Sequence, residues 1–185
     1  MTHQDPSDAD LMARLAKGDV SPIGDLAHRH QGRVLELAFR TLGHWDLAED
    51  VAQETFLRVY RAAKTYQPQA RFTTWLYRIV VNLCLDEQRR RARTALPLEA
   101  VAPEGLPASQ ANPAEKKEFA ELVRAAVQEL PNRQRLALVL HRYDGLSHTE
   151  ISEITGWSES AVESLLVRAY ANLREKLAKL KNLVE

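Results

Sequence analysis

The chain has 185 residues, room for one large or two small domains at ~100 residues each and too little for most multidomain enzymes. Apolar residues make up 45%, charged residues 27% and aromatics 6%, with only 7 Gly, which excludes disordered, fibrous and aromatic-rich β classes and favours a helical globular protein. Basic and acidic residues cancel at 25 each; that excludes a polybasic, histone-like binder and leaves nucleic-acid binding to be decided by local charge.

The N-terminal stretch MTHQDPSDADLMARLAKGD carries four Asp and no apolar core segment, so no secretory signal is expected there. No run of ~18 apolar residues offers a membrane span, and the lone Cys84 has no partner for a disulfide or a zinc pair. A cytoplasmic protein without membrane insertion is the expectation. Next, in WDLAEDVAQETFLRVYRA, Leu47, Val51, Phe56, Leu57 and Tyr60 recur at helical spacing, which predicts an amphipathic helix. Asp46, Glu49, Asp50 and Glu54 give that helix an acidic face, either merely solvated or suited to a basic, partly apolar partner.

Between Arg58 and Arg93 nine basic residues stand against two acidic ones, Asp86 and Glu87, an electrostatic footprint for phosphate. A second amphipathic helix is predicted through Phe72, Trp75, Leu76, Ile79, Val80 and Leu83. Tyr60, Tyr66, Phe72, Trp75 and Tyr77 interleave with the cations, the mixture that single-stranded nucleic acid needs, since an unstacked base must regain its stacking. For Trp75 core and DNA contact remain open alternatives. Cys84 sits among Leu83 and Leu85 on the apolar side and reads as core rather than as a redox sensor.

ALPLEAVAPEGLPASQANP, from Ala95 to Pro113, holds four of the eight prolines and reads as a flexible linker. It divides the chain into blocks 1–94 and 114–185. The second block predicts helices near 115–129, 132–143, 148–154 and 159–179, the third opened by the capping box Ser147-x-x-Glu150 and the fourth by Ser158. Ile151 and Ile154, a turn at Gly156, then Val162, Leu165 and Leu166 have helix-turn-helix spacing, although an ordinary helical hairpin shares that pattern. The second helix begins with Glu159 and Glu163, so its attraction for phosphate must come from Arg168, Arg174 and His148. The fold class expected is all-α: two small helical domains joined by a linker, the second containing a helix-turn-helix.

Three strings carry a resemblance: DLAEDVAQETFLRVYRA, RFTTWLYRIVVNLCLDEQRRR and ELPNRQRLALVLHRYDGLSHTEISEITGWSESAVESLLVRAYANLREKL. In this order and with this gap the chain resembles a bacterial RNA polymerase sigma factor of the extracytoplasmic-function (ECF) group of the sigma-70 family. The resemblance implies a sigma domain 2 in 1–94, a linker in 95–113 and a sigma domain 4 in 114–185. It implies core RNA polymerase as partner, through the β′ clamp region at Asp46, Glu49, Asp50, Gln53, Glu54 and Phe56, and through the β flap. Promoter DNA is the second implied partner. Lys64, Arg71, Trp75, Arg78, Asn82, Asp86, Arg89 and Arg90 correspond to the segment that opens the −10 element; His148, Ser158, Ser160, Ala161, Ser164 and Arg168 correspond to the reader of the −35 duplex. An anti-sigma factor is the third implied partner, and no catalytic residue, metal or cofactor is implied.

Two other functions fit parts of the sequence. A helix-turn-helix repressor would lack a polymerase-binding helix, and a sigma-like decoy would lose the basic helix, whereas Arg78, Asn82 and Arg89 to Arg91 are present. An enzyme is disfavoured, because His28, His30, His44, His141 and His148 are not paired with a nucleophile.

Overall fold

The computed structural model describes residues 5–67, 71–94 and 113–184, without the side chains of 113–119 and 179–184. Among the described residues all regular structure is helical: α1 (Asp8–Ala16), α2 (Pro22–Leu42), α3 (Trp45–Ala62) with a 3-10 turn at Ala63–Thr65, α4 (Phe72–Thr94), α5 (Pro113–Gln128), α6 (Asn132–Arg142), α7 (His148–Thr155) and α8 (Glu159–Val184). The four helices expected in the second block stand within two residues of their predicted starts. The predicted linker lies outside the described residues, apart from Pro113 at the head of α5.

Local chemistry sets the helix ends. Ser7 with Asp10 and Ser147 with Glu150 form reciprocal capping boxes on α1 and α7, satisfying backbone N–H groups that have no partner inside the helix. Ser158 Oγ accepts from the Ala161 amide at 3.2 Å and caps α8. The turn of the helix-turn-helix runs through Gly156 at φ 74°, a left-handed conformation that a Cβ would strain.

In the first block Leu11 and Met12 of α1, Leu26, Val34 and Leu37 of α2, Val59 of α3 and Leu76, Val80 and Val81 of α4 are almost fully buried. Leu136 and Leu140 of α6, Ile151 of α7 and Val162 of α8 fill the second block, and both sets belong to one contiguous apolar cluster. Each fully buried side chain of this kind contributes ~2 kcal/mol. On α3 the inward side is Ala48, Val51, Ala52, Thr55 and Val59. Leu57 and Tyr60, which the spacing assigned to the apolar side, are about half exposed. They lie more than a quarter-turn away from the Val51–Thr55–Val59 line. Cys84 is wholly buried, and burial, with Glu87 adding to it, pushes its thiol up to about 12; the inert thiol is core, as read from the sequence.

Candidate nucleic-acid interface

With its inward side fixed by α2 and α4, α3 turns Asp46, Glu49, Asp50 and Gln53 outward, while Glu54 and Phe56 are half-buried. Two of the carboxylates are tied locally: Glu49 accepts from the Trp45 indole at 3.0 Å, and Glu54 pairs with Arg58 at 2.9 Å. Asp50 stands on the rim of a 250 Å³ groove between α3 and α4, floored by Leu47, Val51 and Leu83. Asp50, Glu54, Asp86 and Glu87 outnumber Arg58 and Arg90 around it, and an apolar floor under a net acidic rim suits a basic amphipathic partner.

On α4 the buried line Leu76, Val80, Cys84 leaves Arg78, Asn82 and Asp86 as an exposed stripe at four-residue spacing. The stripe continues into Arg89, which donates to Asp86 at 2.6 Å, and lies beside Arg90, bound through two nitrogens to Glu87 at 2.8 and 2.9 Å. These pairings hold the guanidinium groups in place while both stay exposed. Before the stripe comes an aromatic cluster: Trp75 lies 4.9 Å from Tyr66 and 5.8 Å from Phe72, ring centre to ring centre. Trp75 is therefore half-buried rather than core or free, with part of its ring left for stacking. Lys64 and Arg71 are exposed at the two ends of the connection that precedes α4.

The first turns of α8 present Glu159, Ser160, Glu163, Ser164 and Arg168 outward, with Ser158 as cap and Ala161 half-buried. His148, at the start of α7, packs against His141 with ring centres 5.4 Å apart and planes tilted by 56°. Of the residues that the resemblance assigns to the −10 and −35 elements, all are exposed except Trp75, His148 and Ala161, which are half-buried.

The comparisons with known proteins match these two blocks. Residues 26–94 match Sigma-70 region 2, and residues 120–173 match Sigma-70, region 4. The ECF RNA polymerase sigma factor SigM of Mycobacterium tuberculosis is 35% identical over 92% of this chain and 85% of its own length. The chain belongs to the ECF RNA polymerase sigma factors. SigE of Mycolicibacterium smegmatis is 39% identical over 84% of this sigma factor, which spans 61% of that relative's length. The solved CnrH, in complex with the cytosolic domain of CnrY, superposes with a TM-score of 0.68 at 29% identity, covering 94% of this chain and 99% of CnrH. No described helix of the sigma factor is long and apolar enough to cross a membrane.

Contacts that sequence reasoning missed join the two blocks. Tyr77 donates its hydroxyl to Asp144 at 3.1 Å, Arg78 donates to the Glu153 carbonyl at 2.9 Å, and Gln128 donates to the Arg40 carbonyl at 2.8 Å. The Arg40 guanidinium lies 4.1 Å from the centre of the Tyr143 ring. Burial, opposed by Tyr77 and Arg40, pushes the Asp144 carboxyl up to about 6. Tyr77 offered one sequence signal, a hydroxyl inside an otherwise apolar row, where a buried phenol needs a partner. Gln128 and Asp144 carried no such signal.

Proposed function

We propose that this sigma factor confers promoter specificity on RNA polymerase. Residues 1–94 dock the core enzyme on the acidic side of α3, through Asp46, Glu49, Asp50, Gln53, Glu54 and Phe56, and open the −10 element on α4. Residues 114–185 read the −35 duplex with α7 and α8 and rest on the β flap, and residues 95–113 connect the two. The protein works by binding in the cytoplasm, without catalytic chemistry of its own. The complex of CnrH with a second protein's cytosolic domain supports an anti-sigma partner for this chain as well.

One observation carries the reading: on α4 a half-buried Trp75 leads into exposed Arg78, Asn82, Asp86, Arg89 and Arg90. Opening DNA requires cations for the backbone, a ring face for an unstacked base and polar groups for a flipped base edge. The helix offers all three in one stripe. Asn82 can both donate and accept, and so can meet a Watson–Crick edge. An acidic docking face next to this stripe fits a polymerase subunit better than a repressor, which needs paired half-sites and no such face.

The test is transcription by core polymerase plus this protein on genomic fragments, with transcript 5′ ends mapped. Defined start sites preceded by a shared pair of elements are expected. Arg78→Ala with Asn82→Ala should keep polymerase binding and abolish permanganate reactivity of −10 thymines. Transcripts without a common upstream sequence would refute the reading.

A further inference from the structure

The half-buried ring of Trp75 ends a chain of contacts that begins at the head of α1. Leu11, Met12 and Leu15 bury one side of α1, which packs on α2 and on the 3-10 turn that precedes α4. The first turn of α1 thereby brings Asp8 to α2, and both oxygens of its carboxylate are engaged. Arg29 Nη1 donates to Oδ1 at 3.2 Å, and His30 Nε2 lies 3.0 Å from Oδ2. Arg29 also donates to the Pro6 carbonyl at 2.7 Å and so ties the entry of α1 to α2. A carboxylate can only accept, so Nε2 of His30 carries the proton, and that bond fixes the orientation of the imidazole.

The His30 ring packs on Phe72 with centres 5.2 Å apart and planes tilted by 48°. Phe72, buried at the start of α4, meets Tyr66 at 6.2 Å and Trp75 at 5.8 Å, and Tyr66 meets Trp75 at 4.9 Å. All four separations lie in the range where tilted and edge-on rings attract one another. Asp8 bears on Tyr66 as well, since its charge adds to burial in pushing the Tyr66 phenol up. The Asp8 and His30 side chains are only 23% and 12% exposed. An apolar side chain at position 30 would pack on Phe72 without the desolvation that an enclosed histidine–carboxylate pair costs; what the pair adds is direction.

We propose that Asp8 and His30 are positioning residues for promoter opening: their hydrogen bond sets the plane of the His30 ring, which through Phe72 holds the Trp75 and Tyr66 rings at the angle that receives an unstacked base. The proposal rests on the reading of Trp75 as a −10 stacking residue. Setting the torsions of these rings before the base arrives removes the cost of ordering them from the opening step. Asp8 itself meets no DNA and acts through His30.

The experiment uses the full chain, core polymerase and a promoter chosen from the mapped start sites. Opening is followed at rising holoenzyme concentration, so that the affinity of the closed complex and the rate of its opening are obtained separately. His30→Ala should slow opening about tenfold and Asp8→Ala about threefold, with polymerase binding and closed-complex affinity unchanged. The double variant should be no slower than His30→Ala, because Asp8 then has nothing left to orient. In the free chain carrying fluorotryptophan, the three tryptophans are followed by fluorine resonance; Asp8→Ala should move the Trp75 line and leave those of Trp45 and Trp157 in place. Unchanged opening rates, losses confined to closed-complex affinity, additive losses in the double variant or an unmoved Trp75 line would each overturn the proposal. Trp75→Ala tests the reading beneath it: opening at the wild-type rate would remove Trp75 from the −10 element, while the fluorine spectrum still judges whether Asp8 sets its ring. Should His30→Ala lose helix content by circular dichroism, His30→Gln, which keeps a donor for Asp8 and drops the ring, decides on the same readouts.

Discussion

The exposed stripe of α4 and the first turns of α8 both offer a helix face to nucleic acid, yet with opposite charge. On α4, Arg78, Arg89, Arg90 and Arg93 outnumber Asp86 among the exposed charges, so the helix brings its own attraction for phosphate. On α8, Glu159 and Glu163 precede Arg168, and the Ser158 cap leaves the helix N-terminus as the main site of positive potential. On α4, Arg78 also donates its Nε–H to the Glu153 carbonyl of α7 and stays exposed. A helix without its own attraction needs another part of the molecule to hold it near its target, which the proposed docking through α3 would supply as effective concentration.

The largest effect should come from removing that docking. Asp50→Lys with Glu54→Lys reverses two carboxylates of the α3–α4 groove and should weaken binding to core polymerase by about a hundredfold or more. Because α8 depends on the same anchor, −35 protection by the mixture should vanish with it. Co-purification of the double variant with polymerase, at unchanged helix content, would take α3 out of docking and leave α8 without its anchor.

A smaller effect tests the seam between the two blocks. Asp144 has its carboxyl raised from 3.8 to about 6, first by burial and then by Glu36, against the hydrogen bond from Tyr77 and the charges of Arg40 and Arg33. All four of these neighbours lie in the first block, so opening returns the group toward its ordinary value. A raised carboxyl means that closure takes up a proton. Its contribution to closure is complete below about pH 4 and is lost as pH rises through about 6. Going from pH 7 to pH 5 should therefore favour the closed form about tenfold through this group. His44, depressed by burial and by Arg91, works in the opposite direction. The measurement is accordingly the difference between wild type and Asp144→Asn, which keeps an acceptor for Tyr77. Equal pH dependence of the radius of gyration in the two proteins would remove Asp144 from the seam's control.

The smallest effect concerns α8 itself. Ser158→Ala removes the hydroxyl that accepts from the Ala161 amide and should cost about 1 kcal/mol in denaturant unfolding. Binding to −35 duplex should fall by a comparable factor, because the same amides would face phosphate. A loss of duplex binding far above the loss of stability would show Ser158 to be a direct DNA contact rather than a cap.

Much of the fold was legible because its signals are local. The capping box Ser147–Glu150, the cap Ser158 and the turn Gly156 act within four residues, and each stands where the sequence placed it. The first two helices were not read, although their signals are present: Ser7 with Asp10 opens α1, Pro22 heads α2, and Gly43 at φ 79° ends it. On α3 the apolar spacing located the helix but placed Leu57 and Tyr60 on the wrong side. Ala48, Ala52 and Thr55 are buried through small size and, for Thr55, a bond to the Val51 carbonyl at 2.7 Å, which hydrophobicity alone does not rank.

The sequence by itself determined the helical class and the division into two blocks around a proline-rich stretch, since periodicity and caps depend only on neighbours three or four residues apart. Only the tertiary structure decided that Trp75 is half-buried against Tyr66 and Phe72. It alone decided that Asp144 is sheltered by Tyr77 and that Arg78 caps the end of α7. Arg78 and Glu153 are 75 residues apart in the chain, and no local pattern encodes a contact of that range. It arises because two apolar blocks bury a common surface, and the polar groups at its edge take whichever partners the packing brings within reach.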